Sequence, residues 1–213
     1  MKGLLITFEG IDFCGKSVQA RLLYHRLIAY FNHDPAKVLL LREPGGSEIS
    51  ERIRAILLDK SLHMMNAITE MLLYEAARSQ LIAEVILPAL QKNRIVICDR
   101  FFDSTTAYQG YGRGIPLDVI RNAHEIAVHG VIPDRTFVID LDPQIALIRQ
   151  EKTGRARDRM ELEDDEFHSK VRNGFLAIAR EEPHRISVIR GDGSANAISD
   201  QIWKIVQIKH LAN

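Results

Sequence analysis

The chain alternates short apolar runs with longer segments in which apolar residues recur every three or four positions. Short apolar runs bounded by turn-forming residues are typical of buried strands, whereas the longer recurrence is typical of amphipathic helices. The predicted strands are 4–8, 38–41, 95–98, 136–141 and 186–189. The predicted helices are near 16–31, 47–58, 67–91, 117–129, 143–151, 164–180 and 195–209. Because strands and helices alternate, the pattern predicts an α/β fold with a mostly parallel sheet.

Composition narrows the classes of protein to consider. The 213 residues predict a single domain over 1–213, and the 28 basic residues are balanced by 28 acidic ones. This balance argues against a nucleic-acid or membrane partner attracted by bulk charge. Cys14 and Cys98 have neither a C-x-x-C spacing nor a nearby histidine, which favours a reduced, cytoplasmic protein. We expect neither secretion nor membrane spanning, since signal-type and long apolar segments are absent from the sequence.

A glycine-rich motif follows the first predicted strand. Residues 10–17, called here the phosphate loop, read Gly-Ile-Asp-Phe-Cys-Gly-Lys-Ser and precede a predicted helix. In such a loop, backbone N–H groups and the helix N-terminus cradle phosphates, the lysine reaches the β- and γ-phosphates, and the serine can ligate Mg²⁺. The motif and its flanking elements predict binding of a nucleoside triphosphate. The candidate ATP-binding residues are Gly10, Ile11, Asp12, Phe13, Cys14, Gly15, Lys16, Ser17 and Val18.

Polar and glycine-rich clusters also follow the second and third predicted strands. Ligands of open α/β sheets bind at the carboxyl ends of strands, so these clusters are candidates for a second site. Arg42, Arg100 and Arg113 would flank the opening of this second site. Guanidinium groups can bind phosphate oxygens through two parallel hydrogen bonds. They predict a pocket for a monophosphate or a similar dianion. The alternative is that Arg42 and Arg100 only pair with Glu43 and Asp99 at the surface.

An aromatic residue and an arginine lie one helical turn apart in the predicted helix 67–91. Tyr74 and Arg78 share a helix face, so the ring could stack on a base and the guanidinium could bond to its edge. Core packing with a solvated arginine explains the same pair. The residues alone leave both interpretations open.

A basic run near residue 155 is followed directly by an acidic run. Mixed charges of this kind are usually solvated surface, but a phosphotransferase carries a mobile lid at this place in the chain. We therefore predict a lid over about 149–162. Its basic residues are Arg149, Lys152, Arg155, Arg157 and Arg159.

These segments together resemble the thymidylate kinase family over nearly the whole chain. The resemblance rests on the order and spacing of six motifs rather than on any one of them. The motifs are Phe-Glu-Gly-x-Asp at 8–12, Arg-Glu-Pro-Gly-Gly at 42–46, Thr-Glu-x-Leu-Leu-aromatic at 69–74, Asp-Arg-aromatic at 99–101, Ala-Tyr-Gln-Gly at 107–110 and Asp-Arg-hydrophobe-Glu at 158–161.

The resemblance implies roles for residues that face the acceptor nucleotide, dTMP. Asp12 would contact the 3′-hydroxyl of the sugar and lie near the metal, and Arg42 and Arg100 would hold the acceptor phosphate. At the base and sugar, Tyr74 would stack on thymine, Arg78 would bond to its O4, Thr105 would reach the base edge, and Tyr108 would pack on the deoxyribose.

The resemblance also implies a fold, a cofactor and an assembly. The expected fold is a three-layer P-loop fold with a five-stranded parallel sheet between helices, and the expected assembly is a homodimer. ATP and dTMP would be the substrates, and Mg²⁺ would be the cofactor. The metal candidates are Asp12, Ser17 and Asp99, and the catalytic candidates are Asp12, Lys16, Arg100, Arg155, Arg157 and Arg159.

Several positions depart from the family pattern. Phe13 and Cys14 replace a small pair, Val18 replaces threonine, and Ala77 replaces aspartate; Arg-Gly-Asp-Gly at 190–193 is also unusual. Because phenylalanine cannot stabilise developing phosphoryl charge, the lid arginines are expected to supply it. A kinase for another pyrimidine nucleoside monophosphate and a non-catalytic nucleotide-binding regulator are the alternative functions.

Overall fold

A central sheet of five parallel strands runs through the described part of the chain, which in this computed structural model covers residues 2–211. Residues 1, 212 and 213 of the predicted domain lie outside the described residues. The strands are β1 (Leu4–Glu9), β2 (Val38–Arg42), β3 (Ile95–Asp99), β4 (Arg135–Asp140) and β5 (Ile186–Arg190), in the spatial order β2-β3-β1-β4-β5. The predicted strands are present, each within a residue or two of its expected ends.

Helices connect the strands and cover the sheet. They are α1 (Lys16–Tyr30), α2 (Glu48–Leu58), α3 (Ala67–Leu81), α4 (Leu87–Gln91), α5 (Phe102–Thr105), α6 (Leu117–Ala127), α7 (Pro143–Glu151), α8 (Asp165–Glu181) and α9 (Ala195–Val206). A 3₁₀ turn spans Lys60–Leu62, and π-helical segments span Ile82–Ile86, Thr106–Gly112 and Gln207–Leu211. The α/β fold with a five-stranded parallel sheet between helices is confirmed.

Both faces of the sheet are buried, and this fixes its register. Leu4, Ile6 and Phe8 face one hydrophobic cluster, whereas Leu5 faces a second cluster on the other side of β1. Successive side chains of a strand point to opposite faces, so a slip of one residue would exchange the two sets. Opposite Asp99 of β3 lie Phe8 of β1 and Arg42 of β2. The carboxyl ends of these three strands therefore meet at one edge.

Two segments differ from the sequence prediction. The single helix predicted over 67–91 is interrupted by the π-helical segment Ile82–Ile86. Pro88 follows this segment, and a proline has no N–H to donate and crowds the carbonyl four residues earlier, so a wider turn accommodates it. Residues 102–112, where the pattern predicts no helix, are helical as α5 and its π extension. Gly110 and Gly112 are poor helix formers and hide the periodicity there.

Candidate active site

The phosphate loop leaves β1 and turns sharply into α1. Its glycines have backbone conformations that side chains rarely adopt, with φ +130° at Gly10 and +102° at Gly15. A Cβ on Gly10 would lie 2.6 Å from the carbonyl oxygen of Ile139 and 2.9 Å from Sγ of Cys14. The loop is thus packed against β4 with no space for a side chain at Gly10. Cys14 is buried, and burial raises the pKa of its thiol.

Lys16 is the first residue of α1 and is folded back over the loop. Its Nζ donates to the carbonyl oxygen of Ile11 at 3.2 Å and lies 3.4 Å from Oδ1 of Asp12. The side chain is largely buried, so its position is set by the loop rather than by solvent. A lysine held in this way presents a fixed positive charge to a triphosphate. Val18, two residues further along α1, has its side chain exposed.

Ser17 and Asp99 line the same cleft of about 660 Å³ at the carboxyl edge of the sheet. Oδ1 of Asp99 is buried and has no hydrogen-bond partner among residues 2–211. A hydroxyl and an unsatisfied carboxylate oxygen are ligands of the kind that Mg²⁺ binds. These two residues therefore fit the expected cation, whereas Asp12 does not line this cleft.

A second cavity of about 500 Å³, called here the acceptor pocket, adjoins the phosphate loop. Its lining comes from the loop, from the segment after β2, from α2 and α3, from the α5 region and from the lid. The residues are Asp12, Glu43, Pro44, Arg54, Leu58, Tyr74, Arg100, Ser104, Thr105, Tyr108, Gln109, Asp158 and Met160.

Arg100 and Asp12 form the junction between the phosphate loop and the acceptor pocket. One guanidinium nitrogen of Arg100 lies 2.5 Å from Oδ1 of Asp12, and the other lies 3.0 Å from Oγ of Ser104. Oδ2 of Asp12 accepts from the Tyr108 hydroxyl at 2.9 Å. Burial by itself would raise the pKa of Asp12, but Arg100 and Lys16 outweigh it and hold that pKa well below its usual range. Asp12 is therefore a carboxylate that orients two cations.

Glu9 stabilises the segment that carries Arg100, and the sequence analysis assigned no role to it. This buried residue ends β1 and accepts from the Phe101 backbone N–H at 2.7 Å and from the Ser104 hydroxyl at 2.6 Å. Burial, aided by the nearby Asp103, raises the pKa of Glu9 to about 8, and the bond from Ser104 opposes this. Arg100 itself has φ +73°, so its backbone is strained and needs such support.

Arg42 ends β2, and Arg54 lies on α2. The prediction placed Arg42 at the acceptor phosphate and gave Arg54 no role. Arg42 does not line the acceptor pocket: both oxygens of Glu51 accept from it at 2.9–3.0 Å, it also donates to the carbonyl oxygen of Pro44 at 2.9 Å, and its side chain is half-exposed. Arg54, on α2, lines the pocket instead and donates to the carbonyl oxygen of Pro44 at 3.0 Å. Arg54 and Arg100 thus line the same pocket. Arg42 lines the separate cleft that contains Ser17 and Asp99.

The structure separates the predicted pair Tyr74 and Arg78. Tyr74 lines the acceptor pocket, but Arg78 lies fully buried behind it and does not line the cavity. Its guanidinium donates to Glu43 at 2.8 Å and to Glu75 at 2.5 Å. Burial raises the pKa of Glu43 to about 7, although Arg78 opposes this. In this structure Arg78 joins α3 to the segment after β2, so a contact with a base would require its remaining N–H groups.

Glu70 is a buried carboxylate that accepts hydrogen bonds from several side chains, and the sequence analysis did not single it out. Its carboxylate accepts from Gln109 at 2.8 Å, from Arg113 at 3.1 Å and from Arg159 at 2.5 Å. Burial would raise the pKa of Glu70, but these hydrogen bonds lower it. The Thr-Glu pair of the 69–74 motif was the only signal for it. Through Glu70, one wall of the acceptor pocket is connected to the lid.

Three arginines of the predicted lid, Arg155, Arg157 and Arg159, have different surroundings in the structure. Arg159 is buried and donates to the carbonyl oxygen of Leu57 as well as to Glu70, so it anchors the lid rather than facing the phosphate loop. Arg155 lies over the ring of Phe13 and pairs with Glu161. Arg157 lines a cleft of about 440 Å³ that also includes Phe13. The backbone of the phosphate loop is held from outside by Arg149, which donates to the carbonyl oxygens of Phe13 and Cys14 at 3.3–3.4 Å.

The fold and this site define a P-loop phosphotransferase: a phosphate loop faces a second, arginine-lined pocket across one sheet edge. Comparisons with known proteins give the family. The thymidylate kinase family model matches residues 8–202. The chain is 44% identical to the thymidylate kinase of Caldanaerobacter subterraneus subsp. tengcongensis over 207 residues, which is 97% of this chain and 96% of that protein. It is 40% identical to that of Bacillus mycoides over 212 residues, covering 99% and 100%.

A solved structure agrees with these relatives. The crystal structure of thymidylate kinase from Ehrlichia chaffeensis superposes with a TM-score of 0.81 at 34% identity, covering 97% of this chain and 100% of that chain. The chain belongs to the thymidylate kinase family. Among residues 2–211, none of the helices has the length and apolar character needed to cross a membrane.

Proposed function

We propose that this protein transfers the γ-phosphoryl group of ATP to the phosphate of dTMP, giving dTDP and ADP. One observation carries the proposal: Oδ1 of Asp12 contacts both Lys16, at 3.4 Å, and Arg100, at 2.5 Å. The cation of the phosphate loop and the cation of the acceptor pocket thus face each other around a single carboxylate. Two phosphate groups bound by these cations would meet at that point.

The chemistry requires alignment and charge neutralisation rather than a base. The acceptor phosphate is already anionic, so transfer needs no side chain to remove a proton. Lys16 would bind the donor phosphates, and Arg100 and Arg54 would hold the acceptor. Ser17 and Asp99 would hold Mg²⁺, which would supply charge neutralisation on the donor side. The lid arginines Arg155 and Arg157 would close over the reacting groups and exclude water.

Recognition of thymidylate would come from the far end of the acceptor pocket. Tyr74 offers a ring for stacking, and Thr105 has a buried hydroxyl with no partner in the described part of the chain. Gln109 is oriented by Glu70 and can bond to a base edge. Tyr108 lines the same pocket, where its ring would pack against the deoxyribose and disfavour a 2′-hydroxyl. Another pyrimidine nucleotide would use the same phosphate contacts and differ only here.

A homodimer and a cytoplasmic location are further parts of the proposal. Ile68 and Leu72 on α3 and Ile126 on the adjoining α6 are apolar and 42%, 54% and 80% exposed. An apolar surface on neighbouring helices fits a second copy of the chain. Sedimentation should give twice the chain mass, and Leu72→Glu should give the chain mass alone. Cys14 and Cys98 are free thiols, which fits a reducing compartment.

A coupled assay of ADP release tests the reaction. With ATP and Mg²⁺ present, we expect rapid ADP release only when dTMP is added, and weaker responses to dUMP, dCMP and UMP. Slow ATP hydrolysis that ignores dTMP would instead support a nucleotide-binding regulator. A kcat/KM for another pyrimidine nucleotide that equals or exceeds the value for dTMP would indicate that this nucleotide is the acceptor.

A further inference from the structure

Phe13 places an aromatic ring inside the phosphate loop. Its backbone has φ +60°, a left-handed conformation that is unfavourable for a residue with a bulky side chain. The ring is partly buried and packs against the core, next to Ala146 and Leu147 of α7. A strained backbone that persists at a functional site commonly serves the site. Phe13 has no phosphate-binding group of its own, so its ring must act through something that it contacts.

The ring contacts the lid. The guanidinium carbon of Arg155 lies 5.6 Å from the centre of the Phe13 ring, within the range of a cation–π interaction. Arg155 is otherwise mostly exposed, with 53% of its side chain accessible. Its second partner is Glu161, whose other oxygen accepts from the backbone N–H of Asp158 at 3.0 Å. Arg155 is therefore held between the phosphate loop on one side and the end of the lid on the other.

An aromatic face holds a cation differently from a carboxylate. Glu161 neutralises the Arg155 guanidinium, whereas the Phe13 ring attracts it through its quadrupole and can still hold it when a phosphate replaces Glu161 as its charged partner. The ring also belongs to the segment that binds the triphosphate. Its position relative to the donor phosphates is fixed by the fold of the loop, while the lid around Arg155 is largely irregular.

We infer that Phe13 is a positioning residue that seats Arg155 above the phosphate loop, so that the lid delivers this charge to the transferring phosphoryl group. The inference rests on the proposed phosphoryl transfer to dTMP. It explains why a phosphate loop without a basic residue at this position carries a large aromatic one. It also distinguishes Arg155 from Arg159, which is anchored to Glu70 and does not depend on Phe13.

The test is a double-mutant cycle between Phe13 and Arg155. Phe13→Leu keeps an apolar side chain and the same backbone strain but removes the aromatic face; we expect kcat to fall about fivefold with the KM for dTMP little changed. Arg155→Met should lower kcat about a hundredfold. Because Phe13 acts through Arg155, the double variant should be no slower than Arg155→Met. Phe13→Tyr should restore most of the turnover lost in Phe13→Leu.

Two results would overturn the inference: full kcat in Phe13→Leu, or losses that multiply in the double variant. If Phe13→Leu does not fold, Phe13→Met replaces it in the cycle with the same expected results, because it also lacks an aromatic face. Phe13→Trp keeps an aromatic face, so its turnover should be close to that of Phe13→Tyr, and a fall to the level of Arg155→Met would contradict the inference. Failure of the proposed function is seen separately, because the unmodified protein would then release no ADP in response to dTMP.

Discussion

The two halves of the active site are built in different ways. The donor half is one continuous segment, residues 10–17, whose geometry comes from backbone conformations and from the start of α1. The acceptor half is assembled from side chains on six separate parts of the chain, and its cations are held by oxygens distant in sequence: Arg100 donates to Asp12, and Arg54 donates to the carbonyl oxygen of Pro44. A continuous backbone site can be recognised from a short motif, whereas a side-chain site depends on how distant elements pack.

The largest effect is expected in the donor half. Lys16→Ala should lower kcat by about a thousandfold or more, because it removes the basic side chain of the phosphate loop. Thermal unfolding should be little affected, since the backbone of the loop is unchanged. The measurement is dTMP-dependent ADP release, with the surface variant Lys170→Ala as a matched control. An active Lys16→Ala protein would exclude the phosphate loop from the mechanism.

The acceptor half offers a direct comparison of two arginines. Arg54→Ala should raise the KM for dTMP about thirtyfold, because it removes a donor from the pocket that would hold the acceptor phosphate. Arg42→Ala should raise it less than about threefold, because Arg42 is engaged by Glu51 outside that pocket. Steady-state kinetics of both variants decide the point. A larger increase in the KM for dTMP in Arg42→Ala than in Arg54→Ala would indicate that Arg42 holds the acceptor phosphate.

A smaller effect is expected at the base end of the pocket. Thr105→Val removes a buried hydroxyl that has no partner within residues 2–211, and the shape of the side chain is retained. Stability should therefore stay the same or rise by about 1 kcal/mol, while the KM for dTMP rises about tenfold. Thermal denaturation and kinetics on one preparation test both parts. A destabilised variant with unchanged KM would show that the hydroxyl has a structural role.

A separate effect concerns stability and leaves turnover aside. The pKa of Glu9 is raised from its ordinary 4.5 to about 8, so between these values the folded state binds a proton that the unfolded state releases. The free energy of unfolding should therefore fall as pH rises from 4.5 to 8, by on the order of a few kcal/mol. Glu43, with its pKa raised to about 7, adds a change of the same sign.

Substitution of Glu9 isolates its part of this pH dependence. Glu9→Gln cannot ionise, so the slope of the free energy of unfolding against pH should be shallower in this variant than in the unmodified protein. Urea denaturation at several pH values measures it. Glu75, whose pKa is lowered to about 2, does not contribute in this range. Parallel slopes for the two proteins would show that Glu9 is already ionised in the fold.

The positions of individual arginines were harder to predict than the fold. Strand positions followed from apolar runs, and the phosphate loop followed from its spacing. Arg42 and Arg54 are both near the second strand, but only the direction of α2 decides which one enters the pocket. Similarly, Arg155 and Arg159 lie four residues apart in a basic run, yet one is exposed over Phe13 and the other is buried against Glu70.

The sequence by itself determined the α/β class, the order of the elements, the phosphate loop and the family, because these depend on local patterns and on short motifs. Only the tertiary structure decided which side chains share a cavity, which carboxylates hold the arginines, and that Arg78 lies behind the pocket rather than in its wall. The physical reason is that a buried polar group must find a partner, and the partners here are far apart in sequence: Glu9 accepts from Ser104, and Glu70 accepts from Arg159.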